Sequence, residues 1–222
     1  MSVDVATHDP AHAHHPALQH HFDNLEQQQN ASTLGMWMFL LTEVLFFGGL
    51  FMAYILYRWM YGEAYQSASN ELSIAMGAGN TVVLIGSSLT MALAVRAAQT
   101  SQRKATVFFL IATLVLGSIF LGVKVVEYSD KFSHHLVPGP HFQFHDAALK
   151  NGAEIYFSLY FAMTGLHATH MILGAFVMIP IIFGAWKGKY DAHYYTPVEL
   201  FGLYWHFVDI VWIFLFPLLY LI

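Results

Sequence analysis

Asp209 and His206 lie three residues apart in Tyr204-Trp205-His206-Phe207-Val208-Asp209-Ile210-Val211-Trp212, an otherwise apolar and aromatic stretch. An aspartate at the centre of a membrane span costs roughly 2.5–3.5 kcal/mol on the translocon scale, so such groups usually have a use. On a helical wheel His206 falls about 60° from Asp209, Trp205 about 40° and Trp212 about 60°. One face should carry all four and meet another helix or subunit rather than lipid. Glu43 poses the same question in Leu41-Thr42-Glu43-Val44-Leu45-Phe46-Phe47. It could carry protons, but a relay needs further titratable groups in line. The favoured reading is a protonated or hydrogen-bonded carboxyl that ties helices or a lipid headgroup together.

His167 and His170, also three apart, could ligate haem or metal. Helical zinc ligation uses a spacing of four with a further ligand nearby. A two-haem membrane cytochrome needs four histidines paired across two helices, and His206 is the sole remaining intramembrane candidate. Interhelical hydrogen bonding, with Glu43 as partner, is therefore favoured. Lys124 and Glu127, followed by Tyr128, have the spacing of an ion pair contained within one helix end. The histidines His8, His12, His14, His15, His20 and His21 are irregularly spaced and read as a solvated surface rather than a metal site. With no cysteine in the chain, disulfides, thiolate metal sites and thioether haem attachment are excluded. No residue is assigned a catalytic, cofactor-binding or metal-ligating role.

The elements that must position these residues are membrane spans. Of 222 residues, 57% are hydrophobic and 10% charged, and the mean hydropathy is +0.51. Soluble domains carry about 25% charged residues. The net charge of −5 offers no basic surface for nucleic acid. Five apolar segments, approximately 34–60, 72–95, 105–126, 155–186 and 197–222, each exceed the roughly 20 residues that a spanning helix needs. Backbone groups in lipid must be satisfied within their own segment, so each is a helix. Alternation of period two, the mark of a β-barrel, is absent. The expected fold is an all-α integral membrane bundle of five transmembrane helices, 32–222, behind a polar His-rich tail, 1–31. Within that tail an amphipathic stretch from about Leu18 to Gln29 is expected on the membrane surface. The first span is expected to act as the targeting element, because no basic n-region precedes it. Arg96, Arg103, Lys104, Lys187 and Lys189 fall in two short connections on one side, which places the N-terminus inside and the C-terminus outside. The connection from about Ser129 to Glu154 is expected to be an ordered loop. Internal inverted repeats, which would support an independent transporter or proton channel, are not evident.

Five stretches, in order, resemble subunit III of the haem–copper oxidases, most closely the bacterial cytochrome c oxidase type. Thr42 to Phe47 with Ala53-Tyr54, Asn80-Thr81 with Ser87-Ser88, Lys124 to Tyr128, Thr164 to Gly174 and Tyr204 to Trp212 carry the resemblance, which covers about Ser32 to the end. Members have seven helices or five, and this chain matches the last five. The resemblance implies an auxiliary subunit without haem or copper of its own. It would pack on subunit I, with subunit II and smaller subunits in the same complex, and hold phospholipid. That complex, in the bacterial inner membrane and with a respiratory supercomplex among its expected settings, reduces oxygen to water and pumps protons in aerobic respiration. A quinol oxidase or a nitric-oxide-reductase-associated homologue is the alternative setting. By the same resemblance Glu43, His167, His170, His206 and Asp209 are structural or lipid-contacting residues, and Asp209→Ala is expected to weaken assembly while leaving haem spectra unchanged.

Overall fold

A computed structural model describes residues 18–222 and contains six helices: α1 (Leu25–Met60), α2 (Gly62–Ser69), α3 (Ile74–Gln99), α4 (Arg103–Ser133), α5 (Lys150–Trp186) and α6 (Thr196–Tyr220). All but α2 are long and apolar enough to cross a membrane. The expected histidines of the tail before residue 18 lie outside the described residues.

Three boundaries differ from those expected, each for a physical reason. The stretch 18–29 is not a separate surface helix, because α1 starts at Leu25 and runs without a break into the span. Capping, which hydropathy does not register, sets that start. The Asn24 side chain accepts from the Gln27 N–H at 2.8 Å, and the Gln27 side chain accepts from the Asp23 N–H at 2.8 Å, a reciprocal closure of free N-terminal donors. Helix α4 continues past 126 to Ser133, and α5 begins at Lys150, so the loop between them is shorter than expected. The C-terminal turns of α4, from 124 to 133, are amphipathic: Lys124, Glu127 and Lys131 are buried toward the protein while Val125, Val126 and Phe132 face outward. Helix α2 was not expected. It is one short amphipathic piece whose Ala64, Tyr65, Ala68 and Ser69 are buried.

Helix α3 packs along α4 and α6, and α5 packs on α4, α6 and α2. Helix α6 is the most enclosed of the spans. Its Trp205, Val208, Trp212, Leu215 and Leu219 are buried. Helix α1 lies at the margin, against α5 and α6. It buries Leu40, Phe47 and Tyr54, a seven-residue spacing that makes one narrow seam. The rest of its length presents Leu41, Leu45, Met52, Ile55 and other large apolar side chains outward. That distribution is ordinary for a helix whose surroundings are as apolar as its side chains. Glycine permits the closest approaches. A Cβ on Gly152 of α5 would sit 2.6 Å from Ala64 Cβ of α2, and one on Gly202 of α6 would sit 2.9 Å from Val95 of α3.

Candidate functional site

Three polar clusters hold nearly every residue singled out above. The first is the seam between α3 and α6. Trp212 Nε1 donates to Thr81 Oγ1 at 3.0 Å, and Trp205 Nε1 donates to Ser87 Oγ at 2.9 Å. Ser88 Oγ and His206 Nδ1 are 2.7 Å apart. The two indoles are seven residues apart on α6, and their acceptors are six apart on α3. Antiparallel helices therefore meet as rungs of a ladder, each rung joining a large ring to a small hydroxyl. The expected common face of α6 divides here. Trp205, Asp209 and Trp212 turn into the bundle, whereas His206 is half-buried. The cause is the wide angular spread of the four positions, which the narrow groove of α3 does not cover. Asp209 is 2% exposed, and neither carboxyl oxygen bonds within the chain among the described residues. Ser88 is the polar side chain that bears on it, outside hydrogen-bond geometry.

His167 lies deeper, with its ring 5.3 Å from those of both Phe120 and Trp212. Its two nitrogens likewise have no partner among the described residues. It does not reach Glu43, contrary to expectation. Spacing alone put His167 and His170 on one face, but α5 has neighbours on several sides, and the 60° between them sends one ring into the core.

The second cluster joins Glu43 of α1 to His170 of α5. His170 Nε2 lies 3.0 Å from Glu43 Oε2, and the two side chains are 13% and 17% exposed. His170 Nδ1 lies 2.9 Å from the Leu166 carbonyl oxygen. A carbonyl can only accept, so Nδ1 carries a proton. The contact on Nε2 then holds one further proton, either on the imidazole facing a carboxylate or on the carboxyl facing a neutral ring. In both forms the pair is net neutral, as a site within the membrane requires. Tyr204 OH donates to the His170 carbonyl at 2.8 Å. Beside this junction an apolar groove of about 500 Å³ is lined by Met36 and Phe39 of α1, Leu173 and Val177 of α5, and Leu200 and Tyr204 of α6.

The third cluster was only half expected. Lys124 and Glu127 do pair, at 3.1 Å, and with 4% and 1% exposure the pair belongs to the core, where residues of other helices join it. Lys124 Nζ also donates to Tyr160 OH of α5 at 3.2 Å and Tyr220 OH of α6 at 3.0 Å. Tyr160 OH donates to Glu127 Oε1 at 2.6 Å, and Tyr220 OH donates to the same oxygen. The ammonium faces the Trp212 ring at 5.1 Å from its centroid, a cation–π geometry. Three helices thus close around one ion pair, and each phenol both accepts from the lysine and donates to the glutamate. Sequence spacing revealed the pair because its members share a helix. The tyrosines are 33 and 93 residues from Glu127, and nothing in the local pattern marks them out.

Neighbouring groups finish the same end of α6. Tyr54 OH donates to the Leu218 carbonyl at 2.6 Å. Tyr156 OH and Ser69 Oγ donate to the Leu219 carbonyl at 2.7 and 2.9 Å. The last turn of a helix leaves its carbonyls without intrahelical donors, and here α1, α2 and α5 supply them. Tyr65 of α2 sits beside this region, where burial pushes its phenol well above the ordinary tyrosine range.

Among the described residues no three His, Asp or Glu side chains converge as a metal would need. The arrangement is that of helices fastened to one another by polar groups at several depths. It defines a multi-pass α-helical membrane protein in which most of the polar side chains within the spans named above turn toward other helices of the same chain.

Comparison with known proteins is specific about which one. Residues 18–222 match the family model for cytochrome c oxidase subunit III. The chain belongs to that family, the third subunit of haem–copper oxidases. It is similar to the cytochrome c oxidase subunit 3 of Thermostichus vulcanus, at 30% identity over 201 residues, 90% of this chain and 92% of the relative. It is equally similar to the quinol oxidase subunit 3 of Bacillus spizizenii, at 30% identity over 211 residues, 95% of this chain and 96% of the relative. A further relative, the cytochrome bo(3) ubiquinol oxidase subunit 3 of Pseudomonas aeruginosa, is 27% identical over 225 residues.

Proposed function

We propose that this chain is the non-redox auxiliary subunit of an aerobic terminal oxidase of the cytochrome c type. In this reading it packs on subunit I, alongside subunit II and smaller subunits, and stabilises subunit I on its proton-uptake side. Haem and copper belong to the partner subunits. The assembled complex, in a bacterial inner membrane, reduces oxygen to water and translocates protons. One observation carries the proposal. Glu43, Lys124 and Glu127, the intramembrane charges that do pair, find their partners on helices of this chain, so they act as fasteners and not as ligands or relays. The apolar groove beside Glu43 and His170 suits the acyl chain of a bound phospholipid, with Tyr204 at its edge. The basic residues Arg96, Arg103, Lys104, Lys187 and Lys189 favour an N-terminus on the inner side and a C-terminus on the outer.

Purification of the tagged chain from its native membrane tests the central point. The expected result is a complex with a haem–copper core, whereas the separated chain has no Soret band. A stoichiometric haem retained by the separated chain overturns the reading. A quinol oxidase is the second reading, favoured by the equal identity of this chain to a relative of that name. A subunit II with a copper A centre in the purified complex decides for cytochrome c, and its absence for quinol.

A further inference from the structure

We infer that the outer face of the α3–α6 pair, centred on His206, is the surface on which a transmembrane helix of another oxidase subunit docks, and that this helix presents a hydrogen-bonding group to His206 Nε2. The inference rests on the proposed reading of the chain as part of an oxidase complex, and it assigns the face.

His206 is the eleventh of 25 residues of α6, so it lies near mid-membrane. Nδ1 is taken by Ser88 at 2.7 Å. Nε2 bonds nothing in this chain among the described residues. The ring is half-buried, and Nε2 is not among the polar atoms sealed inside the bundle. Whichever tautomer the Ser88 contact selects, Nε2 keeps one donor or acceptor function to satisfy. Lipid tails offer none, and an unmet polar group in hydrocarbon costs several kcal/mol.

Polar groups on the other outward faces do not share this need. Thr42 of α1 donates to the Phe39 carbonyl at 2.6 Å. Ser118 of α4 donates to the Leu114 carbonyl at 2.8 Å, and Thr169 of α5 to the Gly165 carbonyl at 2.9 Å. Each closes on its own helix, which suits a lipid-facing surface. His170 and Glu43 satisfy one another. His206 alone of these is aimed outward with a nitrogen to spare. Around it, Ile85 and Leu89 of α3 and Ile210 and Ile213 of α6 are 46–61% exposed, at helical spacings that place them on the same side. Ala92, one turn from Ser88, lets a further helix approach closely.

A photo-crosslinking amino acid at Leu89 or Ile210, in the complex purified from native membrane, tests the face. Val115 on α4 and Phe176 on α5, both exposed, serve as controls. The expected result is an adduct with another subunit of the purified complex from Leu89 and Ile210, and lipid adducts from the controls. Lipid adducts alone from Leu89 and Ile210, or subunit adducts from the controls only, overturn the assignment. Failure of the chain to purify with a haem–copper core would instead sink the reading of the chain as an oxidase subunit, a separate outcome. Independently, His206→Leu should be lost from the purified complex in detergent up to roughly tenfold faster than the native chain, as an interhelical bond worth about 1 kcal/mol or slightly more implies. Ser88→Ala, which keeps the imidazole, should be lost more slowly than His206→Leu. Equal loss from both variants would assign the effect to the α3–α6 seam and overturn the docking role of Nε2.

Discussion

The indole of Trp205 donates to Ser87 at 2.9 Å across the α3–α6 seam, and the same ring fills the space left by Gly174 of α5 and Gly117 of α4, where a Cβ would come within 3.0 Å of it. One side chain therefore engages three helices, with its polar edge on the first and its apolar faces on the others. Removing the acceptor separates the two contributions. Ser87→Ala should lower stability in detergent by about 0.6 kcal/mol, and by no more than about 1.7 kcal/mol, the mean and maximum of measured interhelical hydrogen bonds in membranes. Trp205→Phe should cost more, because it also leaves a cavity. In a double-mutant cycle read by thermal unfolding, the two substitutions should be less than additive. Strict additivity would show that the bond contributes nothing.

The buried pair of Lys124 and Glu127 should behave asymmetrically. Lys124→Met leaves a carboxylate among two phenols without its counter-charge, and Glu127→Gln leaves an ammonium without one. Breaking a buried pair from one side costs about 3–5 kcal/mol, whereas replacing both partners with apolar residues of similar volume is often neutral or better. The double variant Lys124→Met with Glu127→Leu should thus be more stable than either single variant, by the amount of folded chain recovered and by its unfolding midpoint. A double variant as unstable as the worse single one would mean that Tyr160 and Tyr220, which lose both of their partners, dominate the cluster.

The number and order of the spans, and the pairing of Lys124 with Glu127, were legible in the sequence because each depends on residues near one another in the chain. The link between Glu43 and His170 was half legible. Both residues stood out as polar groups in apolar segments, but the choice of His170 over His167 depends on how α5 is rotated against α1, which spacing does not encode. Tyr160, Tyr220 and Ser87 were invisible as members of clusters. A tyrosine in a membrane helix is ordinary, and it acquires a role here only through helices brought together from distant parts of the chain. The start of α1 was misjudged for a different reason, since hydropathy reads lipid and not the capping by Asn24 and Gln27.

Close approach at two glycines gives a test of packing free of charge effects. Gly152→Ala brings a methyl to 2.6 Å from the Ala64 methyl, and Gly202→Ala brings one to 2.9 Å from Val95. Neither neighbour is the end of a long flexible side chain, so backbone must move. Each substitution should cost about 1–3 kcal/mol. Gly79→Ala, with nothing within 4 Å, should be neutral or slightly stabilising through helix propensity. Accumulation of the folded chain in the membrane is the simplest measurement. A loss at Gly79 matching that at Gly152 would show that the effect is not steric.

Glu43 and His170 fasten the marginal helix α1 to α5, and the proton count of the pair decides which substitutions it tolerates. With Nδ1 of His170 committed to the Leu166 carbonyl, a neutral ring offers Nε2 as an acceptor. Glu43→Gln supplies an amide donor to that nitrogen, so the contact should survive. Glu43→Leu removes it, and His170→Leu leaves the carboxyl without its imidazole partner. The expected order of damage is therefore Glu43→Gln least, Glu43→Leu intermediate and His170→Leu most. The chain has no cysteine, so spin labels can be placed at Leu45 of α1 and Leu173 of α5, both exposed, without further changes. The distance distribution between them should stay narrow in Glu43→Gln and broaden in the two leucine variants as α1 loosens. Broadening in Glu43→Gln equal to that in His170→Leu would show that the ionised carboxylate, and not the hydrogen bond, holds the helix.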